Sequence, residues 1–325
     1  MVDYYGTLGP ACREKEKLEG MLDAGMTGIR INLSHGGLSY AKESLDLLRA
    51  AARARRIDLK ILIDLEGPEL RIGALRAPVV LHEDDLVSAV TLNLPGSVTE
   101  HISYGDVLLL DDGKIRLEVL NGAGDCMFRV LTGGMLTSKK SVAIQNKTVD
   151  LPTLTKNDYN NLKEAGEYGV TGVMLPFARG IRDLKNLKNA LFDAGLRYVK
   201  IFSKIENMSG VTNLDELIEG SDEIVIARGD LGNSMDLWKL PGTVERIGRK
   251  CRMMDMPYMV VTQMLDSMCR QAVPTRAEVT DVYRAVLDGA SSVMLTGETA
   301  AGSFPVEAMT YLVKIGKEAE HDRRN

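Results

Sequence analysis

The chain has 325 residues, 45% of them hydrophobic and 26% charged, with a net charge of −5. This is ordinary globular composition, enough for a large core in one big domain or one domain plus a small insert. The acidic balance and the shortness of basic runs such as RARR (53–56) exclude general nucleic-acid binding, and the four scattered cysteines, without CxxC spacing, exclude a disulfide framework.

Taken in order, short apolar and β-branched runs predict eight strands: 4–9, 28–34, 60–67, 171–176, 199–206, 223–230, 258–264 and 291–298. Helical periodicity marks 13–25, 39–55, 155–169, 183–195, 243–255 and 305–321, several of them ending at glycine. Alternating strands and helices of this number predict an α/β chain folded as a parallel (β/α)8 TIM barrel. Residues 74–149 break the rhythm. Strand-like patches at 79–83, 88–94, 106–112, 114–120, 126–131 and 141–146 are separated by turn signals such as DDGK, NGAGD and TGG, with no convincing helix. The expected organisation is therefore a barrel of residues 1–73 and 150–325 with an all-β insert, 74–149, after the third strand. Loops on that side face the catalytic mouth of a barrel, so the insert reads as a lid. No apolar run is long enough to cross a membrane, and no signal peptide is evident at MVDYYGTLGP, so a cytoplasmic, membrane-free protein is expected.

The strand ends are polar. Strand two ends in Arg30, Asn32 and Ser34, strand three in Asp64, strand five in Lys204 and Glu206, and strand six in Arg228 and Asp230. Strand seven ends in Thr262 and Gln263, strand eight in Thr296 and Glu298. Side chains two apart on a strand share a face, which pairs Lys204 with Glu206 and Arg228 with Asp230. Glu206 and Asp230 suit a hard divalent cation, while Arg30, Arg71 and Lys204 suit phosphate. Singly, each of these motifs is more often a surface salt bridge or a turn; it is their joint placement at the strand ends that points to a site.

The residues then spell a family. TLGPAC (7–12), GIRINLSHG (28–36), IDLEGPELRIG (63–73), DDGKIRLEV (111–119), VDLPTLTKND (149–158), FSKIEN (202–207), ARGDLG (227–232), VTQMLDSM (261–268), PTRAEVTDV (274–282) and LTGETAAG (295–302) follow in order, and the chain resembles pyruvate kinase over nearly its whole length. The resemblance implies transfer of the phosphoryl group of phosphoenolpyruvate to ADP, giving pyruvate and ATP through a metal-stabilised enolate. It implies that Arg30 and Lys204 hold the transferring group and that Gly229, Asp230 and Thr262 line the substrate, Thr262 near the face where the enolate is protonated. By the same resemblance Glu206 and Asp230 bind Mg2+ (or Mn2+). Asn32, Ser34, Asp64 and the Leu65 carbonyl bind K+, and His35, Arg71 and Lys140 lie along the nucleotide path. A homodimer through the barrel helices near strands seven and eight is also implied.

The sequence departs from the family pattern in places. Leu65-Glu66 stands for Thr-Lys, Pro176-Phe177-Ala178-Arg179 for Ser-Phe-Ile-Arg, and Asn233-Ser234 for Ile-Glu, while Glu69, which accompanies potassium dependence, is retained. Glu66 near a phosphate-rich site is expected to weaken nucleotide binding or alter substrate choice. The lid is shorter than usual, and the resemblance stops short of the family's usual C-terminal effector domain, so no allosteric site is expected to carry over. Two other readings stay open: a magnesium-dependent pyruvate-enolate aldolase or lyase, and a non-catalytic or altered-specificity phosphoenolpyruvate-binding paralogue.

Overall fold

A computed structural model describes residues 1–121, 126–147 and 149–324, and only the backbone of His35. In chain order the strands are β1 (Asp3–Thr7), β2 (Gly28–Asn32), β3 (Lys60–Asp64), β4 (Val79–Leu81), β5 (Leu86–Ser88), β6 (Val107–Leu110), β7 (Ile115–Val119), β8 (Met127–Thr132), β9 (Gly134–Leu136) and β10 (Val142–Ile144). They continue with β11 (Gly172–Leu175), β12 (Lys200–Ile205), β13 (Glu223–Ala227), β14 (Tyr258–Val261) and β15 (Ser292–Met294). β1–β3 and β11–β15 are all parallel and close into an eight-stranded barrel, β15 returning to β1. The chain is thus a TIM barrel with a small all-β lid after its third strand.

The barrel interior explains where the polar groups emerge. Tyr5, Leu62, Met174, Phe202, Val225, Met259 and Met294 fill the centre. Two residues further along the same faces come Asp64 after Leu62 and Lys204 after Phe202, at the C-terminal mouth. Bulk is balanced by absence: a Cβ on Gly28 would lie 2.2 Å from the Tyr5 ring, and one on Gly172 2.4 Å from Leu62. A second, larger apolar layer lies between strands and helices.

Six helices fall close to the expected segments, including Lys15–Ala24, which Gly25 ends in the left-handed conformation at φ 110°. Helices Lys156–Ala165 and Arg276–Leu287 each open on a capping box, Thr155 with Asp158 and Thr275 with Glu278. The helix Arg276–Leu287 and the pair Met208–Thr212 and Leu214–Gly220 lie outside the expected set. Both fill the helical position of a barrel unit.

The lid is one five-stranded antiparallel sheet, β10-β6-β7-β8-β5, and one pair, β4-β9, around its own core of Leu108, Leu110, Leu117, Phe128 and Val130. The strand expected at 88–94 stops at Ser88, whose hydroxyl accepts from the Thr91 amide at 3.2 Å, and Asn93 turns left-handed at φ 49°. A helical turn, Gly96–Thr99, follows where none was expected, and within the TGG segment the chain breaks at Gly133, between β8 and β9. Of the turn expected at 121–125, all but Asn121 lies outside the described residues. Among the described residues no helix is long and apolar enough to cross a membrane.

Candidate active site

The centre of the barrel mouth is a line of alternating charges. Arg30 Nε and Nη2 donate to Asp64 Oδ2 at 2.9 and 2.5 Å, and Nη1 to the Thr7 hydroxyl at 3.3 Å. Lys204 Nζ lies 3.1 and 3.2 Å from the two Asp64 oxygens and 2.9 Å from Glu206 Oε1. The backbone amide of Phe177 donates to the other Glu206 oxygen at 2.8 Å. Phe177 itself sits in the left-handed region at φ 49°, which turns that amide towards Glu206. Neither its residue type nor its spacing marks Phe177 as a site residue.

Burial sets the electrostatics here. It works against the Lys204 ammonium, but Asp64 and Glu206 outweigh it and hold the group charged, well above the ordinary lysine range. Burial likewise opposes the Asp64 carboxylate, and Lys204 and Arg30 reverse that, leaving it below the usual carboxylate range. For Asp230 the compensation is too small: burial first, then the Glu206 charge, push its carboxyl up to about 8, although Lys204 pulls the other way. Among the described residues Asp230 forms no ion pair. Glu69 is also raised, by burial, although Arg71 pulls the other way.

An acid raised by burial and by a neighbouring acid has too little positive charge beside it. Glu206 and Asp230 therefore fit a divalent cation. Among the described residues no three Asp, Glu, His or Cys side chains converge as a metal site. A cleft of about 110 Å³ opens beside the pair, lined by Glu69, Phe177, Glu206, Asn207 and Asp230 from the barrel and by Leu109, Asp112 and Ser141 from the lid. The lid rests on the barrel rim, where Gln145 Nε2 donates to Asp236 at 3.2 Å.

The remaining expected residues divide into those gathered here and those placed elsewhere. Asn32 stands opposite Asp64 in the β2–β3 register, and its side chain accepts from the Ser34 amide at 3.1 Å. Strand β2 ends at Asn32, so Ser34 belongs to the turn Leu33–His35 and not to the strand. Leu65 is buried just beyond β3, its amide donating to Met174 at 3.3 Å. The side chain of His35 lies outside the described residues. Arg71 is held by Glu69 at 2.8 Å and by the Lys139 carbonyl at 2.8 Å, and Lys140 by Asp111 at 2.7 Å. Both sit at the foot of the lid, where Arg71 bridges to Ser141. A Cβ on Gly229 would lie 2.9 Å from Thr262 Cγ2, so Thr262 packs directly over that glycine, next to Asp230.

Two expectations are corrected. Arg228 and Asp230 do not share a strand face: β13 stops at Ala227, and Arg228–Asn233 forms a helical turn that sends Arg228 to Asp281. Glu298 is buried, accepting from the amides of Leu265 at 3.0 Å and Thr296 at 2.8 Å, and so supports the loops instead of lining the mouth. Glu66 has partners that its place in the sequence does not suggest. Its carboxylate accepts from the Thr155 hydroxyl at 3.1 Å and from Asn157 at 3.2 Å, at the start of the helix Lys156–Ala165.

The family model "Pyruvate kinase, barrel domain" matches residues 2–309. Curated relatives named pyruvate kinase include one from Aeropyrum pernix, 39% identical over 98% of this chain and 70% of its own length. Others are from Bacillus licheniformis, 34% identical, and Geobacillus stearothermophilus, 35% identical, each covering 97% of this chain. The chain spans 56% of the length of these last two relatives. The match takes in every barrel strand and the whole lid, and the chain belongs to the pyruvate kinase family.

Proposed function

We propose that this chain transfers the phosphoryl group of phosphoenolpyruvate to ADP, giving pyruvate and ATP. The observation that carries the reading is Lys204, held charged between Asp64 and Glu206 with Arg30 alongside. Phosphoryl transfer asks a protein for position and charge more than for a covalent partner, and among the described residues this mouth offers cations and no activated nucleophile.

Arg30 and Lys204 bind and orient the transferring group from one side. The Arg30 fork suits two phosphoryl oxygens and the Lys204 ammonium neutralises charge at a point. Because Asp64 and Glu206 balance these two cations, the apo cluster is close to neutral. Glu206 and Asp230 hold Mg2+ or Mn2+, which when bound supplies Lewis-acid stabilisation of the negative charge developing on the substrate. Thr262, over Gly229, borders the substrate on the face that gains a proton. Arg71 and Lys140 face the nucleotide phosphates from the foot of the lid, with His35 on the same path. K+ takes Asn32, Ser34, Asp64 and the Leu65 carbonyl, a reading supported by the Asn32–Asp64 register. Residues 74–149 act as the lid and 1–73 with 150–325 as the barrel. The protein works in the cytoplasm as a homodimer through the helices near the seventh and eighth barrel strands.

Phosphorus-31 NMR of phosphoenolpyruvate with ADP, magnesium and the protein tests the reaction. Growth of the ATP γ-phosphate signal at the expense of phosphoenolpyruvate is expected. Loss of phosphoenolpyruvate with release of free phosphate only, or no change, would sink the proposal.

A further inference from the structure

Thr262 has a conformation its residue type resists. Its φ is 76° and that of Gln263 is 53°, two successive left-handed residues, the first β-branched. Such strain persists only where the surroundings impose it, and it gathers at functional sites. One side chain holds the carbonyls of both residues. Arg228 Nη2 donates to the Thr262 carbonyl at 2.8 Å and to the Gln263 carbonyl at 3.3 Å, and Nε to the Thr262 carbonyl at 3.3 Å. Nη1 meets both oxygens of Asp281 at 2.6 and 2.8 Å, and Met264 Sδ lies 3.0 Å from Nη2. Every nitrogen of the guanidinium is thereby engaged, so Arg228 has no fork left for substrate.

We propose that Arg228, braced by Asp281, is a positioning residue that holds Thr262 left-handed and so lays its side chain over Gly229 beside Asp230. The role rests on the proposed function for its catalytic meaning. It follows from the chain's layout. Arg228 is the residue just before Gly229, so one short segment both presents Asp230 and fixes the neighbouring loop that carries Thr262. Asp281 ties the arrangement to the helix Arg276–Leu287. Lysine cannot replace this planar fork, because a point charge does not fix two carbonyls and a carboxylate at once.

The test is Arg228→Lys, with Asp281→Asn as a milder variant that keeps the carbonyl donors. In crystals of Arg228→Lys, Thr262 is expected to leave the positive-φ region. In solution, exchange of pyruvate methyl protons with D2O, read by NMR, is expected to slow at least about tenfold, while KM for phosphoenolpyruvate stays within about twofold. Asp281→Asn is expected to give a smaller loss of the same kind, and it carries the test if the lysine variant does not fold. A merely structural role would lower stability and leave the ratio of proton exchange to phosphoryl transfer unchanged, which would overturn the proposal. Thr262 retaining a φ near 76° in the variant crystal would overturn it as well. A wild-type protein inactive in both assays would remove the proposed function, and the variant crystal structure would still decide whether Arg228 holds Thr262.

Discussion

Asp64 and Lys204 lie 140 positions apart in the chain and meet at 3.1 Å in the barrel mouth. Each changes the other's protonation: the carboxylate is held below its usual range and the ammonium above its own, against the burial both suffer. Neither charge would be tolerable alone at this depth, since an isolated buried charge costs several kcal/mol. The pair thus lets a buried cation stay charged at the barrel mouth.

Lys204→Met should therefore separate binding from turnover. The remaining Arg30 keeps phosphoenolpyruvate affinity within about tenfold, while kcat falls by a factor on the order of 10³ because a transition-state contact is lost. Steady-state kinetics with direct calorimetric binding distinguishes the two. Unchanged kcat would remove the role assigned to Lys204. The variant also leaves Asp64 with Arg30 as its one remaining cation, so some loss of stability is expected alongside.

Glu66 is expected to matter for stability and little for the nucleotide. Its carboxylate holds Thr155 and Asn157 at a helix start, so Glu66→Ala should cost about 1 kcal/mol of unfolding free energy and shift KM for ADP by less than about twofold. Urea melts and ADP titrations read both effects. A large KM change with unaltered stability would place Glu66 back among the phosphate contacts.

Glu223, at the start of β13 at the opposite end of the barrel, predicts a pH effect. Burial pushes its carboxyl from 4.5 up to about 7, with Asp3 adding to the rise and Ser292, Ser291 and Lys60 opposing it. Between those values the folded chain keeps a proton that the unfolded chain has lost. Stability from this group thus falls as pH rises from about 4.5 to 7 and stays lowered above. Glu223→Gln should raise Tm by about 2–5 °C at pH 8 and leave it nearly unchanged at pH 4. Equal Tm gains at both pH values would show that the carboxyl does not titrate in this way.

Much of the barrel and of its charged mouth was legible in the sequence because strands impose a period of two. Leu62 inside implies Asp64 at the mouth, and Phe202 inside implies Lys204. The same rule failed for Arg228 and Asp230 because β13 ends at Ala227 and the next residues coil, so the period changes within the motif. The left-handed turn at Thr262 and Gln263 escaped because neither residue favours positive φ; an arginine distant in sequence imposes it. The helix Arg276–Leu287 carries Val279, Thr280, Val282 and Val286, whose β-branching blurs its helical signal. The role of Glu66 could not be read either, since its partners arrive from the helix after the lid.

Pyruvate release from phosphoenolpyruvate and ADP with magnesium, measured with and without potassium, tests the central claim most directly. The account predicts turnover that needs the divalent cation and rises with potassium. Magnesium-dependent binding of phosphoenolpyruvate or oxalate without any pyruvate formed would contradict it, leaving a metal site whose phosphoryl acceptor is something other than ADP.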